Sequence, residues 1–155
     1  IMAHIKQAGI EDIESIIPLF TAYRAFYNIE SDPVELRDYL YERLKNNQCV
    51  IFLASIDEAT TDTAPVGFTQ LYPGFSSLSL KNTWTLNDLY VAPEARRLLV
   101  GQQLMDRAKQ MAKESGACEI MLQTATDNIT AQGLYEKLGY ERDNDFYCYC
   151  LDLED

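Results

Sequence analysis

The order of strand-like and helix-like segments restricts the fold of this chain more than any other feature of its sequence. Three apolar runs rich in β-forming residues follow one another without a helical pattern between them, at 49–56, 66–72 and 84–91. Amphipathic helical patterns flank these runs, at about 13–27, 33–45, 100–113 and 129–138, and further strand-like runs lie at 3–6, 118–124 and 146–153. Consecutive strands favour antiparallel hairpins, whereas a helix between strands favours a right-handed crossover. The sequence therefore predicts an α/β domain with a mixed sheet and helices on both faces.

Residues that favour helix termini mark the ends of these helical patterns. Asp32 followed by Pro33 is typical of an N-cap and a first helical position, and Asn128 is a suitable N-cap for the last helix. Gly116 and Gly139 directly follow helical patterns and can adopt the left-handed conformation that closes a helix.

The charge balance argues against a nucleic-acid partner. The chain carries 24 acidic and 13 basic residues, for a formal net charge of −11. Proteins that bind a phosphate backbone depend instead on Lys and Arg to displace counterions. A negative field favours a cationic substrate, although acidity also serves solubility. We therefore expect no nucleic-acid partner.

The hydropathy pattern argues against a membrane protein. No apolar segment approaches the ~20 residues that a membrane helix requires, and the first thirty residues contain no run of signal-peptide type. We therefore expect a cytoplasmic protein with no membrane partner. We expect a single domain at residues 2–155 and interpret Ile1, which precedes Met2, as an added residue.

The cysteines and the single histidine do not form a metal-binding pattern. Cys49, Cys118, Cys148 and Cys150 include no CxxC pair, and the only histidine is His4. Neither a metal site nor a Cys/His nucleophile is predicted. Cys148 and Cys150 lie two residues apart in the last strand-like run, and we interpret both as small buried residues.

A junction between a strand and a helix, at 86–105, has the features of an anion-binding site. The strand leads through a loop that contains Arg96 and Arg97 into a helix that begins near Val100. The N–H groups and the positive end of a helix attract phosphate, and arginines add charge-assisted hydrogen bonds. Taken alone, the same residues are also compatible with an amphipathic helix whose first turn is basic.

The last helical pattern carries a phenol, Tyr135, seven residues after Asn128. On an amphipathic helix a tyrosine at such a position is either a half-buried packing residue or, beside a leaving group, a proton donor. The helix alone leaves both interpretations open.

Together, these two segments resemble the GNAT family of acetyl-CoA-dependent N-acetyltransferases. Residues 86–105 are similar to its pyrophosphate element, a strand and V-x-P turn followed by Arg-x-x-Gly-x-Gly/Ala and a helix, and residues 128–140 are similar to its N-x-x-A-x-x-L-Y-x-x-x-G-F/Y element. Residues 67–73 and 86–91 are similar to the histone-acetyltransferase-like and diamine-acetyltransferase-like branches. The resemblance implies an N-acetyltransferase with a GNAT-like α/β fold, a mixed, mostly antiparallel sheet of about seven strands flanked by four helices.

The resemblance also implies how the cosubstrate acetyl-CoA is held, without a metal. Leu89, Tyr90 and Val91 would present main-chain groups to the pantetheine arm, with the N–H of Val91 near the acetyl carbonyl. The pyrophosphate would be bound by Arg96, Arg97, Leu98, Leu99, Val100, Gly101 and Gln102. Asn128 would contact the cofactor, and Tyr135 would stand beside the sulfur and protonate the leaving thiolate.

Leu99 stands where the family pattern has its first loop glycine. With a negative φ at Leu99, the loop N–H groups would still bind phosphate, but the close approach that glycine allows would be reduced, so we expect weaker cofactor affinity. This departure supports an alternative function, a GNAT-like module that binds acyl-CoA without transferring the acetyl group.

The predicted acceptor is a primary amine, either a small cationic amine, a polyamine or a lysine-like amine. Such an amine has a pKa near ~10.4, so about one molecule in a few thousand is the free base at pH 7, and a proton acceptor assists the reaction. Asp88 and Tyr90 are the candidates on the strand, acting directly or through water. Alternatives that the residue type favours over the base role are that Asp88 binds a cationic substrate or hydrogen-bonds a neighbouring backbone. The resemblance is also compatible with a homodimer, to which the run at 146–153 would contribute, but an edge strand there is equally well covered within the monomer.

Overall fold

The sheet and helices follow the predicted order in the computed structural model, which describes residues 2–56 and 64–154. The strands are β1 His4–Gln7, β2 Val50–Ser55, β3 Gly67–Ser76, β4 Lys81–Val91 and β5 Ile120–Met121. The helices are α1 Ile13–Phe26, α2 Pro33–Lys45, α3 Val100–Glu114 and α4 Ile129–Lys137. Most of the loop predicted at 57–65 lies outside the described residues. The chain divides into two units, one up to Gln123 and one from Thr124 onward, and each is described by itself.

The five strands form one sheet in the order β1-β2-β3-β4-β5. Neighbours from β1 to β4 are antiparallel, whereas β5 pairs with β4 in parallel through only two residue pairs, Trp84 with Ile120 and Thr85 with Met121. The mixed, mostly antiparallel α/β sheet is thus confirmed. The described residues form five strands rather than about seven.

The difference in strand number arises after α3. The strand predicted at 118–124 is only two residues long, and the run at 146–153 is assigned no strand. A strand depends on a ladder of hydrogen bonds with a neighbour, and such a ladder cannot be read from the alternation of one segment alone. The prediction that Cys148 and Cys150 are buried in this run is also wrong, because both are exposed.

Helices cover both faces of the sheet in the first unit. Ile51 and Leu53 of β2 belong to the core that α1 and α2 share with one face. Phe52, between them, points to the other face, where the guanidinium of Arg107 in α3 lies 4.7 Å from its ring centroid. The alternation of side chains along β2 thus holds α3, and with it the loop that precedes α3, against the sheet.

The close contact between α3 and the sheet depends on Gly67 at the start of β3. A Cβ atom added there would lie 3.0 Å from the carbonyl oxygen of Tyr90, 3.3 Å from Val100 and 3.4 Å from Leu104. Glycine therefore allows the first turn of α3 to pack tightly against the end of β4.

Candidate active site

The centre of the candidate site is an irregularity between β3 and β4. Gln70 pairs with Asp88 and Leu71 pairs with Leu86, so Asn87 is an extra residue on β4 with no partner across the ladder. Such a β-bulge changes which residues of a strand face the core. Here Asp88 is buried, with 6% of its surface exposed.

Side-chain amides hold both oxygens of the buried Asp88 carboxyl group. Nε2 of Gln70 donates to Oδ2 at 2.9 Å, and Nδ2 of Asn87 donates to Oδ1 and Oδ2 at 3.1 Å each. The Oγ1 hydroxyl of Thr69 donates to the main-chain carbonyl of Asp88 at 2.8 Å. Asp88 is therefore held at both its backbone and its side chain.

Two further ionisable groups interact electrostatically with Asp88. Burial raises the pKa of the Cys49 thiol to about 11, and Asp88 adds to this shift. Burial also raises the pKa of the Tyr72 phenol, with contributions from its hydrogen bond to Tyr39 and from Asp88. The hydroxyl oxygens of Tyr72 and Tyr39 are 2.5 Å apart. Cys49 and Tyr72 are therefore both protonated near neutral pH.

One edge of β4 is open beside Asp88. The N–H of Ala92 donates to the carbonyl of Val66, on the β3 side, at 2.7 Å. Because successive N–H groups of a strand point to opposite edges, those of Leu89 and Val91 point away from β3. In the described part of the chain, β5 pairs with this edge only at residues 84 and 85. The edge at Leu89 and Val91 can therefore receive an extended ligand in the manner of an added strand.

The aromatic ring of Tyr90 lies near both Tyr23 of α1 and Arg96 of the loop before α3. Its centroid is 6.1 Å from that of Tyr23 and 5.9 Å from the guanidinium carbon of Arg96. Nε of Arg96 also donates to the carbonyl of Val91 at 3.0 Å. Arg96 is thus attached to the end of β4.

The loop before α3 has a left-handed backbone at two residues that are not glycine. Arg97 has a φ of 69° and Leu99 a φ of 63°. The negative φ at Leu99, with which the loop N–H groups were expected still to bind phosphate, is therefore not observed. Leu99 instead takes the conformation that glycine adopts readily, with 60% of its surface exposed.

The N-terminus of α3 has no side-chain cap, because its N-cap residue is Leu99. The first N–H groups of an α-helix have no carbonyl partner within the helix. Arg96 and Arg97 are exposed beside this helix end, Leu98, Gly101 and Gln102 are half-buried, and Val100 is buried. The predicted phosphate-binding residues of the first unit thus converge on one helix N-terminus.

The second unit contains the other predicted site residues, Asn128 and Tyr135. Oδ1 of Asn128 accepts from the N–H of Ala131 at 3.2 Å, which confirms Asn128 as the N-cap of α4. Gly139 has a φ of 94°, and the N–H of Tyr140 bonds to the carbonyl of Tyr135 at 3.0 Å, so α4 ends as predicted.

The side chain of Tyr135 is half-buried within this unit. Its ring centroid is 6.2 Å from that of Tyr140. Burial, with a further contribution from Tyr135, raises the pKa of the Tyr140 phenol. The roles of Asn128 and Tyr135 towards the cofactor remain predictions.

The described residues contain no group of three or more His, Cys, Asp or Glu side chains that could hold a metal ion. Among the same residues, no helix is both long enough and apolar enough to span a membrane.

Comparison with known proteins identifies the family. Residues 14–140 match the model of the Acetyltransferase (GNAT) family. The chain belongs to this GNAT family. It is 43% identical over 150 residues to an uncharacterized N-acetyltransferase, YhfO, of Bacillus subtilis (strain 168), with 97% of each chain covered. It is also 34% identical over 98 residues to a probable acetyltransferase of Haemophilus influenzae, with 63% of this chain and 64% of that protein covered. The GNAT protein is therefore an acetyltransferase.

Solved structures confirm the GNAT fold. The chain matches the crystal structure of a probable acetyltransferase with a TM-score of 0.91 and 46% identity, covering 98% of this chain and 99% of that one. A predicted acetyltransferase from Clostridium acetobutylicum, solved with acetyl-CoA, matches with a TM-score of 0.74 and 17% identity over 96% of each chain. At that identity the second match concerns the fold alone. GNAT enzymes use acetyl-CoA as the acetyl donor.

Sequence reasoning missed two residues of this site, Gln70 and Asn87. Both bind the carboxyl group of Asp88. Both also lie in the segments 67–73 and 86–91 that resemble acetyltransferase branches, but that resemblance assigned no role to either side chain. A further signal in the sequence was a glutamine within a mostly apolar strand-like run. Its meaning depends on the register between β3 and β4, which the sequence pattern does not define.

Proposed function

We propose that this GNAT enzyme transfers the acetyl group of acetyl-CoA directly to the nitrogen of a primary amine, with both substrates bound together. One observation carries the proposal. On β4, the buried carboxyl group of Asp88 is followed at once by Leu89 and Val91, whose N–H groups point to an open strand edge. A proton acceptor and hydrogen-bond donors for a thioester thus lie next to one another on the same strand.

The first step is proton removal from the acceptor. At neutral pH the amine arrives as an ammonium ion, and one of its N–H protons passes to the carboxylate of Asp88. The freed lone pair makes the nitrogen a nucleophile. Tyr90 was the other candidate base, but the contacts of its ring with Tyr23 and Arg96 support a role as a wall of the site.

The second step is attack on the thioester. The amine nitrogen forms a bond to the acetyl carbon, and the carbonyl π electrons move to oxygen. The N–H of Val91 is the proposed donor to this oxyanion, because a fixed main-chain donor stabilises charge that develops in the transition state. The N–H and carbonyl groups of Leu89 would bind the pantetheine arm.

The third step expels coenzyme A. The C–S bond breaks and its electrons remain on sulfur. The nitrogen releases its second proton to solvent to become a neutral amide, and Asp88 releases the first proton to solvent as well. Tyr135 is the proposed donor of a proton to the thiolate, and its phenolate regains one from solvent. The sum is an ammonium ion and acetyl-CoA giving an N-alkylacetamide, coenzyme A and one proton, with no covalent enzyme intermediate.

The phosphate loop is the proposed site of the cofactor pyrophosphate. The uncapped N-terminus of α3 and the exposed Arg96 and Arg97 supply N–H donors and positive charge. Asn128 is proposed to contact the cofactor as well. The φ of Leu99 lies in the region that glycine adopts readily, which supports acyl-CoA binding at this loop. Thiol release then distinguishes transfer from binding alone.

A cationic acceptor agrees with the charge of the protein. The chain has a net charge of −11, and the proposed base is an acidic side chain that has no basic partner in the two ion pairs found among the described residues. A small alkylamine, a polyamine or a lysine-like amine suits this environment.

Thiol release tests the proposed function. The protein is mixed with acetyl-CoA and a panel of primary amines, and free coenzyme A is measured with a thiol reagent, together with calorimetry of acetyl-CoA binding. We expect thiol release that depends on the amine. Acetyl-CoA binding without thiol release for any amine would favour the binding module instead.

A further inference from the structure

Gln70 is a buried polar side chain whose presence the packing of the sheet does not explain. It lies in the middle of β3 with none of its surface exposed. Its Nε2 donates to Asp88, but its Oε1 is buried and accepts no hydrogen bond from any residue in the described ranges. An unsatisfied buried acceptor is unfavourable, and an apolar side chain of similar size would avoid it. The residue is therefore better explained by what its amide does to Asp88.

The amide contacts leave the two oxygens of Asp88 unequal. Oδ2 accepts from both Gln70 and Asn87, whereas Oδ1 accepts from Asn87 alone. A carboxylate oxygen has about two acceptor positions. Gln70 thus occupies the second position on Oδ2, and Oδ1 retains one.

Asp88 belongs to no ion pair among the described residues. The ion pairs of the described chain join Lys6 to Asp12 and Arg37 to Glu14, and neither includes Asp88. Its ionisable neighbours, Cys49 and Tyr72, have raised pKa values and are neutral in their protonated forms. Arg43 interacts electrostatically with Cys49, but the hydrogen bonds found for the Asp88 carboxyl group come from side-chain amides. A buried carboxylate is stabilised by an opposite charge.

We propose that Gln70 is the positioning residue of the acceptor site, which holds Asp88 so that Oδ1 receives an N–H of an alkylammonium group. This inference rests on the proposed function and deepens it, because it names both the recognised group and the atom that recognises it. The site selects cations that carry an N–H. A quaternary ammonium of the same charge has no donor for Oδ1.

Side-chain NMR tests the inference without any turnover. The amide group of Gln70 donates to the carboxyl group that binds the cation, so its ¹⁵N–¹H resonances report on that carboxyl group. We expect n-butylammonium to shift these resonances in a saturable way. Tetramethylammonium should leave them unchanged, and the shift should be lost in Asp88→Asn. Equal shifts with both cations, or no shift with n-butylammonium, would overturn the proposal.

The pH dependence of acetyl transfer to n-butylamine separates positioning from a structural role. Gln70→Glu places a second carboxyl group 2.9 Å from Asp88, and two such groups share a proton. The acid limb of kcat/KM should therefore move up by about one pH unit or more. Thr69→Val is the matched control, because Thr69 is equally buried but binds only the main-chain carbonyl of Asp88. Its acid limb should not move.

If Gln70→Glu folds and the acid limb of its pH profile does not move, the proposal is contradicted. Lower activity in that case would show that Gln70 has only a structural role. If Gln70→Glu does not fold, the NMR titration of the unaltered protein still tests the proposed role of Gln70. The proposed function fails separately, by the absence of thiol release with any amine. If thiol release depends on the amine but n-butylammonium does not shift the Gln70 amide resonances, the enzyme assignment is retained and the proposed role of Gln70 is rejected.

Discussion

The two ends of the candidate site are built in different ways. At the acceptor end, Asp88 is 6% exposed and its position depends on side-chain hydrogen bonds from Gln70 and Asn87. At the cofactor end, Leu99 is 60% exposed and has no capping bond, and what distinguishes it is a left-handed φ. The first region is therefore specified by side-chain chemistry and the second by backbone conformation.

This difference predicts which substitutions each region tolerates. At the acceptor end, a change of functional group should abolish its function even when the shape of the side chain is preserved. At Leu99 of the cofactor end, the chemistry of the side chain should matter little, and a change in the allowed φ or in the packing of α3 should matter more.

Asp88→Asn should have the largest effect, because it keeps the shape of the side chain but removes the proposed base and charge. We expect kcat/KM for the amine to fall by roughly 10²-fold to 10⁴-fold, with acetyl-CoA affinity nearly unchanged. Steady-state kinetics and calorimetry measure the two quantities. A kcat/KM close to that of the unaltered protein would remove Asp88 from catalysis and break the contrast between the two regions.

Tyr135→Phe tests whether the second unit also contributes a side-chain functional group. The loss of the phenol should lower kcat by roughly 10²-fold or more, with little change in acetyl-CoA affinity. Tyr140→Phe is the matched control, since Tyr140 lies on the same unit with its ring 6.2 Å from that of Tyr135. Its kcat should change little. Equal turnover in the two variants would leave Tyr135 as a packing residue.

Gly67→Ala tests the dependence of the cofactor end on packing. The added methyl group would lie 3.0 Å from the carbonyl oxygen of Tyr90 and press on the first turn of α3. We expect a loss of about 1–3 kcal/mol in the free energy of unfolding, measured by urea denaturation, together with weaker acetyl-CoA binding.

Gly133→Ala provides a comparison in open space. Apart from its chain neighbours and the backbone of its own helix, no atom of the described residues lies within 4 Å of a Cβ at Gly133, in the middle of α4. Alanine there should raise the free energy of unfolding by about 0.5–1 kcal/mol, because glycine is unfavourable within a helix. If Gly67→Ala is as stable as Gly133→Ala, the tight contact between β4 and α3 is not required.

Leu99→Gly and Leu99→Val should have the smallest effects, and of opposite sign. Glycine relieves the left-handed backbone at a cost of little buried surface, so the free energy of unfolding should rise by up to about 1 kcal/mol. Acetyl-CoA affinity should then increase by up to about fivefold. Valine, which is β-branched, should lower both quantities. Equal acetyl-CoA affinities in the two variants would mean that the φ of Leu99 does not govern the cofactor end.

Local features of the fold were predictable because they depend on residues that are close together in the sequence. Asn128 caps α4 with its own side chain, and Gly139 ends the same helix with a positive φ. The helical patterns and the central strands agree with the structure to within a few residues. Each of these features depends on contacts between residues that are close in sequence.

Features that depend on pairing between distant segments were not predictable. Gln70 and Asp88 are neighbours only because β3 and β4 pair in a particular register, and the bulge at Asn87 interrupts that register. The strand expected at 146–153 was inferred from one segment, whereas a strand needs a partner. The φ of Leu99 is decided by the way the chain must turn from β4 into α3.

The sequence by itself therefore determined the order of elements, their caps, the family and the candidate residues Asp88 and Tyr135. Tertiary structure alone decided which atoms hold Asp88, which edge of β4 is open and which conformation Leu99 adopts. The physical reason is the range of the interactions involved. Periodicity and capping act within a few residues, whereas hydrogen bonds across a sheet and the packing of a helix against it join residues that are far apart in the chain.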